Sequence, residues 1–193
     1  MVVYIIDLGS QYTHVIWRTV RDLGYSPEIK RRDVNFKELK NAAAFILSGG
    51  PGNAYKDDLG IAKEIVEKAK NNELNLPILG VCLGHQFIAH EFGGIVQKGK
   101  SAEYGITKIT IDQENDLFKG VAKEFNVWVS HFDEVKKIPE EFIPLAHSEV
   151  CAYEAIKHKK KKIYGVQFHP EVWHTEYGEN IISNFLSLVD KIS

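Results

Sequence analysis

Three side chains of this sequence have the chemistry of a nucleophile, a base and an orienting acid: Cys82, His169 and Glu171. Cys82 follows a short apolar run and has a glycine two residues before it and another two residues after it. This spacing is typical of a sharp strand-to-helix corner that presents a nucleophile above a sheet. The start of the following helix offers free N–H groups and positive potential, which favour a thiolate. We therefore predict that Cys82 is a nucleophile.

His169 and Glu171 come at the end of a second apolar run, in the segment 165–171. Pro170 fixes its own φ and biases His169 toward an extended conformation. Extended residues two apart project to the same side, so Glu171 can reach the imidazole, fix its tautomer and stabilise its cation. We predict a cysteine–histidine–glutamate triad. Taken singly, a cysteine that only packs and a His-Pro-Glu segment that is only a turn remain alternatives.

A glycine-rich loop at 48–52 follows a third apolar run. Glycine lets a backbone approach a substrate closely and aim its N–H groups at it. We predict that the N–H groups of Gly50 and Leu83 form an oxyanion hole. No Gly-Lys-Ser/Thr ending follows the loop, which excludes a P-loop phosphate site. An ordinary turn is the alternative for the loop taken alone.

The elements that must position these segments alternate between strands and helices in the first half of the chain. The predicted strands are 2–6, 27–30, 43–47 and 77–81; the predicted helices are 11–23 and 62–69, the second capped by Asp57 or Asp58, and a third begins after Cys82. Such alternation is typical of a parallel sheet with helices on both faces. Ligands bind beyond the carboxyl ends of such strands, so we expect the three segments to meet there.

The second half of the chain has a different pattern. It predicts strands at 106–111, 126–129, 150–156 and 162–168 and a closing helix at 181–189. We interpret the lysine run 159–162 as a solvated turn, with a partner-docking or anion-binding patch as the alternative. The predicted fold class is α/β, a three-layer open and mostly parallel sheet with helices on both faces and antiparallel strands in the C-terminal half. We expect residues 1–193 to form one domain.

The composition of the chain limits the kinds of partner and cellular setting that we expect. The 193 residues are 44% hydrophobic and 26% charged, with a net charge of −2, which gives no reason to expect nucleic acid or an anionic membrane as partner. The N-terminus has no basic region or cleavage site of a signal peptide, and no apolar run is long enough to span a membrane. The two cysteines fit a reduced cytoplasmic setting, with Cys151 structural. No histidine has metal-like spacing, so we expect no metal, and we assign His85 to packing or hydrogen bonding at a helix start.

Three motifs carry a family resemblance: Leu-Ser-Gly-Gly-Pro-Gly at 47–52, Gly-Val-Cys-Leu-Gly-His-Gln at 80–86 and Gly-Val-Gln-Phe-His-Pro-Glu at 165–171. Together they resemble the class I, triad-type glutamine amidotransferases. Within that family, segments 6–13, 128–133 and 169–175 are most similar to the amidotransferase part of GMP synthetases. The sequence departs from the pattern at Phe132, where glycine is expected, so backbone contacts with glutamine should differ there in detail.

The resemblance implies a substrate and a set of contacts. Glutamine would lie across the glycine loop and the Cys82 corner, and the residues expected to bind it are Gly50, Gly52, Gln86, Ser130 and Phe132. Cys82 would attack the side-chain amide, with the oxyanion held by Gly50 and Leu83. His169 would protonate the departing ammonia, and water would then release glutamate from the γ-glutamyl thioester.

The resemblance also implies a partner. Fused GMP synthetases continue into an ATP-pyrophosphatase domain that opens with a Ser-Gly-Gly-Val-Asp-Ser-like loop, and no such loop occurs in this sequence. We therefore expect a separate synthetase subunit that binds Mg-ATP and xanthosine 5′-monophosphate (XMP), docked over the strand-end face, and no cofactor in this chain. The alternatives are an amidotransferase subunit for anthranilate or aminodeoxychorismate synthesis, a stand-alone cysteine hydrolase, and a non-catalytic regulatory subunit.

Overall fold

The computed structural model describes residues 1–189. The strands of this part of the chain are β1 (Val2–Asp7), β2 (Pro27–Arg31), β3 (Ala42–Leu47), β4 (Ile78–Val81), β5 (Ile95–Ile111), β6 (Glu124–Lys137), β7 (Phe142–Ser148), β8 (Ala155–His158) and β9 (Ile163–Val166). They form one sheet in the order β2-β1-β3-β4-β9-β8-β7-β5-β6. The helices are α1 (Thr13–Asp22), α2 (Ile61–Lys70), α3 (Leu83–Glu91) and α4 (Gly178–Leu186), with a 3-10 turn at Phe36–Glu38.

The sheet has a hydrophobic layer on each face, as an α/β fold requires. Helices α1 and α4 pack on one face through side chains such as Ile16 and Phe185. Helices α2 and α3 pack on the other face through side chains such as Ile65 and Phe87. The predicted three-layer architecture is thus confirmed. None of the helices within residues 1–189 is long and apolar enough to cross a membrane.

Strands β2, β1, β3, β4 and β9 run parallel and bring the three chemically active segments together. Leu47 of β3 lies opposite Gly80 of β4. Val81, the last residue of β4, lies opposite Val166, the last residue of β9. The glycine loop, Cys82 and His169 therefore follow neighbouring strands at the same edge of the sheet, as the strand–helix alternation predicted.

The second half contributes antiparallel strands, but their extents differ from the prediction. Strands β5 and β6 have 17 and 14 residues and form a long hairpin with an irregularity between Lys98 and Glu103. Strand β7 was missed, and the predicted strand at 150–156 is wrong, because β8 begins only at Ala155. Pro144 lies within β7, where the register with β8 shifts, and a proline argues against a strand in the sequence alone.

Two local predictions have different outcomes. The cap of α2 is Gly60, with φ of +57°, rather than Asp57 or Asp58, and the Asp58 carboxylate instead accepts a hydrogen bond from the Gly60 N–H. The lysine run does form the turn between β8 and β9. Within it, Lys161 donates to the Ala69 carbonyl at 2.6 Å, so part of the run binds the C-terminal end of α2.

Candidate active site

Cys82 forms the corner between β4 and α3. Its backbone has φ of +51° and ψ of −103°, in a region that a cysteine rarely adopts. Its N–H donates to the Val166 carbonyl at 2.8 Å, which fixes the corner to β9. A Cβ on Gly80 would lie 2.5 Å from the Gly84 carbonyl, and a Cβ on Gly84 would lie 2.4 Å from the Leu47 oxygen. The two flanking glycines are therefore required by close backbone packing.

His169 and Glu171 contact each other at the end of β9. His169 Nδ1 lies 2.7 Å from Glu171 Oε1, and both side chains are buried. The segment is a turn closed by the Val172 N–H on the His169 carbonyl, and this carbonyl also accepts from Thr175 Oγ1 at 2.6 Å. The residues that follow His169 thus turn instead of continuing as an extended run, and the predicted contact is present. Pro170 lies inside the turn.

The surroundings of His169 favour its protonated form. Burial alone lowers the pKa of the imidazole, but the Glu171 charge and hydrogen bonding to the Cys82 side chain outweigh burial and raise the pKa well above its usual value. The Tyr12 ring also contacts the His169 ring edge-on, with 5.5 Å between the centroids. The site therefore stabilises an imidazolium next to the cysteine.

Because Gly49 has no side chain, Cys82 and His169 can both pack against the glycine loop. A Cβ at position 49 would lie 3.0 Å from His169 Cε1 and 3.4 Å from Cys82 Cβ. A side chain there would press on both residues at once. Gly49 thus has a packing role that its place in the loop, next to Gly50, did not indicate.

Gly50 is held against the end of β1. A Cβ on this residue would lie 2.1 Å from the Leu8 carbonyl oxygen, so only glycine fits without moving the backbone. Gly50 and Leu83 line one cavity together with Cys82. This common location is what an oxyanion hole requires, and the role of the two N–H groups stays a prediction.

That cavity has a volume of about 320 Å³ and opens next to the sulfur. Its walls include all the residues expected to contact glutamine: Gly50, Gly52, Gln86, Ser130 and Phe132. They come from the glycine loop, from α3 and from β6. The cavity thus brings together the nucleophile and every predicted binding residue, whereas His169 and Glu171 are buried beside it.

Gln86 has a bracing role that the sequence did not indicate. Its side-chain nitrogen donates to the Asp133 carbonyl at 2.7 Å and to Gln167 Oε1 at 3.1 Å. The Gln167 nitrogen in turn lies 3.7 Å from Cys82 Sγ, and the Ser130 carbonyl lies 3.8 Å from the same sulfur. The amide of Gln86 therefore ties α3 to β6, and the missed residue Gln167 connects it to the nucleophile.

Comparison with known proteins decides the family of this chain. The family model described as glutamine amidotransferase class-I matches residues 4–189. The chain belongs to this family. Its solved relatives include a putative GMP synthase subunit from Thermoplasma acidophilum, with a TM-score of 0.90 and 38% identity over 98% of this chain and 94% of that chain.

Two curated relatives of this amidotransferase differ in length. One GMP synthase [glutamine-hydrolyzing] subunit, from Methanocaldococcus jannaschii, is 50% identical over 95% of this chain and 95% of its own length. The GMP synthase [glutamine-hydrolyzing] of Thermosipho africanus is 45% identical over 98% of this chain, which spans only 36% of that longer protein. The amidotransferase therefore matches both a protein of its own size and part of a larger one.

Phe132, where the resemblance led us to expect glycine, is 60% exposed at the mouth of the cavity. Lys98 Nζ lies 5.4 Å from the centroid of its ring. The neighbouring Asp133 side chain accepts from Asn53 Nδ2 at 3.0 Å, which joins β6 to the glycine loop. The Phe132 ring adds apolar surface at the entrance, and Gln86 holds the carbonyl of the next residue, Asp133.

A group of ionisable side chains extends from the wall of the amidotransferase cavity, which Glu103 and His131 line, to the fully buried Cys151 and Glu154. His131 Nε2 is 2.9 Å from Glu103 Oε2, and ligand atoms of Glu103, Cys151 and Glu154 lie within 4.8 Å of one another. Burial and the Glu103 charge raise the pKa of Glu154 to about 8. Burial, with Glu154 as the next cause, also raises the pKa of the Cys151 thiol, which favours a structural cysteine. The absence of a metal stays a prediction.

His85 is buried at the start of α3, as its assignment to packing predicted. A Cβ on Gly165 would lie 2.5 Å from His85 Nδ1, so the ring fills the space that a side chain on β9 would occupy. Burial and the nearby His131 lower the pKa of His85 to about 3. The ring is therefore neutral and serves the packing of α3 on the sheet.

Proposed function

We propose that this chain hydrolyses glutamine to glutamate and ammonia and supplies the ammonia to a separate synthetase subunit that converts XMP to GMP. The observation that carries this proposal is the 50% identity to the GMP synthase [glutamine-hydrolyzing] subunit of Methanocaldococcus jannaschii over 95% of both chains. Cys82, His169 and Glu171 lie together at one edge of the sheet, which supports the hydrolysis of glutamine by this chain. Because Cys82, His169 and Glu171 are all present, a purely regulatory subunit is disfavoured.

In the proposed reaction, the Cys82 thiolate attacks the side-chain amide carbon of glutamine. The carbonyl π bond opens, and the N–H groups of Gly50 and Leu83 stabilise the resulting oxyanion. The imidazolium of His169 gives its proton to the amide nitrogen, the C–N bond breaks, and ammonia leaves. His169, now neutral, removes a proton from water, which attacks the γ-glutamyl thioester and releases glutamate and the thiolate.

Glu171 is the orienting acid in this scheme. Its carboxylate holds Nδ1 of His169 at 2.7 Å, which directs Nε2 toward the reacting atoms and stabilises the imidazolium. The Glu171 charge and the Cys82 side chain raise the pKa of His169, which favours the imidazolium that donates the proton in this scheme.

The partner supplies the second half of the proposed reaction. Mg-ATP and XMP bind on the synthetase subunit, and this chain needs no cofactor of its own. The longer GMP synthase of Thermosipho africanus, of which this chain spans 36%, supports a close association between such an amidotransferase and a further domain. A cytoplasmic location fits the two free thiols, Cys82 and Cys151, which are the cysteines of the chain.

The deciding experiment is reconstitution. The chain is mixed with the synthetase subunit of a GMP synthetase that consists of two separate subunits. Glutamine, XMP and Mg-ATP are added, and GMP and glutamate are measured in the same sample. We expect one glutamate for each GMP, and no GMP when either subunit is omitted. The assigned acceptor would be contradicted if the chain hydrolysed glutamine without forming GMP. The chain would also have to support formation of anthranilate or aminodeoxychorismate from chorismate when mixed with the corresponding synthase subunit. Fast turnover of free substrates without any partner would instead favour a stand-alone hydrolase.

A further inference from the structure

The turn that carries the base lies along the outer edge of β6. Strand β6 is at one end of the sheet, and an edge strand presents a row of backbone groups that no further strand pairs. The His169 N–H donates to the Trp128 carbonyl at 2.9 Å, and the Glu176 N–H donates to the Asn126 carbonyl at 2.9 Å. The segment 169–176 therefore covers this edge of β6 at alternate residues.

Side-chain oxygens of this segment accept hydrogen bonds that the carbonyls of a neighbouring strand would otherwise accept. The Trp128 N–H donates to Thr175 Oγ1 at 2.9 Å, and the Asn126 N–H donates to Glu176 Oε2 at 2.7 Å. The Thr175 hydroxyl in turn donates to the His169 carbonyl at 2.6 Å. Two residues that form a hydrogen-bonded pair in an antiparallel sheet exchange two direct N–H···O bonds. His169 and Trp128 share one direct bond, and the Thr175 hydroxyl relays the second.

The two side-chain acceptors differ in burial. Glu176 is exposed, so water can replace its carboxylate, whereas Thr175 is 6% exposed. Without the Thr175 hydroxyl, the Trp128 N–H would lose its acceptor. The His169 carbonyl would keep the longer, 3.3 Å bond from the Val172 N–H. Polar groups that lose a partner away from water cost free energy, so we expect the turn to shift when this hydroxyl is removed.

Strand β6 also contacts the nucleophile. The Ser130 carbonyl lies 3.8 Å from Cys82 Sγ, and Ser130 comes two residues after Trp128 on the same strand. Glu171 fixes the ring of His169 within the turn, but this contact does not fix the distance from the turn to the sulfur. The chain link to β9 fixes where the segment begins, and β6 holds the rest of the turn. The position of His169 relative to Cys82 therefore depends on the attachment to β6.

We propose that Thr175 is a positioning residue for glutamine hydrolysis, whose hydroxyl holds His169 at its working distance from Cys82 by tying the turn to β6. This inference rests on the proposed function. Proton transfer requires a base within hydrogen-bond reach, and a misplacement of about 1 Å can lower a rate by about 10²-fold. Among residues 1–189, those that line the glutamine cavity do not include Thr175, so we expect glutamine binding to be independent of its hydroxyl.

The test compares two substitutions of the same residue. Thr175→Val keeps the branched shape of the side chain and removes the hydroxyl, whereas Thr175→Ser keeps the hydroxyl and removes a methyl group. Glutamate release is measured against glutamine concentration in the complex with the synthetase subunit, XMP and Mg-ATP. We expect Thr175→Val to lower kcat by about 10- to 100-fold with KM changed by less than about twofold. Thr175→Ser should keep a kcat close to that of the wild type.

The matched control is Thr19→Val. The Thr19 hydroxyl donates to the Val15 carbonyl at 3.0 Å within α1, so this change removes a hydrogen bond of the same kind. It should leave both kcat and KM unchanged. If Thr175→Val does not fold, Thr175→Ala is compared with Thr175→Ser at a temperature where both are folded. These two variants differ by the hydroxyl alone, and we expect kcat to be at least tenfold lower in Thr175→Ala.

Ammonia-dependent GMP formation is measured in every variant and should be unchanged, which shows that the complex is intact. Wild-type kcat in Thr175→Val, or equal kcat in Thr175→Ala and Thr175→Ser, would overturn the positioning role and leave the proposed function in place. A raised KM with unchanged kcat in Thr175→Val would also overturn it, because the hydroxyl would then serve glutamine binding. A wild-type chain that releases no glutamate from glutamine in the complex would contradict the proposed function itself.

Discussion

Glu171 holds the ring of His169 from within the same turn: Oε1 lies 2.7 Å from Nδ1, and only Pro170 separates the two residues. The turn is closed by the Val172 N–H and by the Thr175 hydroxyl, both on the His169 carbonyl. Base and acid are therefore positioned as one unit, and neither depends on a distant loop for its geometry.

The first prediction concerns the charge of this acid. Glu171→Gln keeps the size of the side chain and removes the carboxylate that raises the pKa of His169. We expect the pKa of His169 to fall and kcat for glutamine hydrolysis to decrease by roughly 10²- to 10⁴-fold, as when the acid of such a triad is made neutral. The pH profile of kcat and an NMR titration of His169 measure the two effects.

The matched control for that variant is Glu179→Gln, an exposed carboxylate in the first turn of α4. It should leave both the pH profile and kcat unchanged. A Glu171→Gln variant with wild-type kcat and an unshifted His169 pKa would show that the 2.7 Å contact has no catalytic role.

The second prediction separates the two cysteines. Cys82→Ala should reduce glutamine-dependent GMP formation by at least about 10³-fold, because the thioester cannot form, while ammonia-dependent GMP formation by the reconstituted pair is retained. Cys151→Ala should retain both activities, although it costs some stability. An electrophilic glutamine analogue followed by peptide mapping should label Cys82 and spare buried Cys151. Label on Cys151, or loss of both activities in Cys82→Ala, would contradict the assignment.

The third prediction tests the glycine loop. Gly50→Ala places a Cβ 2.1 Å from the Leu8 oxygen, so the loop has to move and its N–H leaves the predicted oxyanion position. We expect kcat to fall by about 10²- to 10³-fold, the usual effect of losing one oxyanion donor, with glutamine KM changed less. Steady-state kinetics of glutamate release measures both constants.

Gly120→Ala is the control for that substitution. Gly120 has φ of +76° and no atom within 4 Å of the added Cβ, so the change strains the backbone without a collision. It should lower stability by about 1 kcal/mol and leave kcat unaltered. A Gly50→Ala enzyme with full kcat would exclude this N–H from oxyanion binding.

The fourth prediction is a pH dependence of stability. Since the pKa of Glu154 is about 8 in the folded chain and near 4.3 in an unfolded one, the folded state keeps a proton that the unfolded state loses. The stabilisation from this group is complete below about pH 4 and is lost as pH rises through about 8, a change on the order of a few kcal/mol. Denaturant unfolding from pH 5 to pH 9 measures this slope.

Glu154→Gln should flatten that slope, because an amide does not titrate over this range. Glu149→Gln, an exposed carboxylate in the same loop region, should keep the wild-type slope. An unchanged slope in Glu154→Gln would show that Glu154 is ionised in the folded chain.

Short-range constraints made much of the site predictable. The glycines at 80 and 84 are dictated by contacts with Gly84 and Leu47, so their spacing around Cys82 is visible in the sequence. The alternation of strands and helices then placed the three segments at one edge of a parallel sheet, and the pairing of Val81 with Val166 confirms that position. These features depend on neighbours along the chain and on general rules of α/β topology.

Other features depend on contacts between distant segments. The bracing of Gln86 by Asp133 and Gln167 joins α3 to residues 47 and 81 positions away, and no local pattern indicates it. The length of the β5–β6 hairpin is fixed by cross-strand pairing, since its exposed Lys and Glu residues are of types that are depleted in strands. Strand β7 was not predicted because Pro144 interrupts the strand pattern in the sequence. In the structure, pairing with β8 nevertheless makes this segment a strand.

The left-handed backbone of Cys82 has a consequence for the stability of the fold. A φ of +51° costs an L-residue free energy that glycine would not lose, so the residue best suited to the chemistry is not the one best suited to the fold. Cys82→Gly should therefore unfold at a higher temperature than Cys82→Ala. The cysteine at this corner therefore exchanges some stability of the fold for chemistry that glycine could not perform.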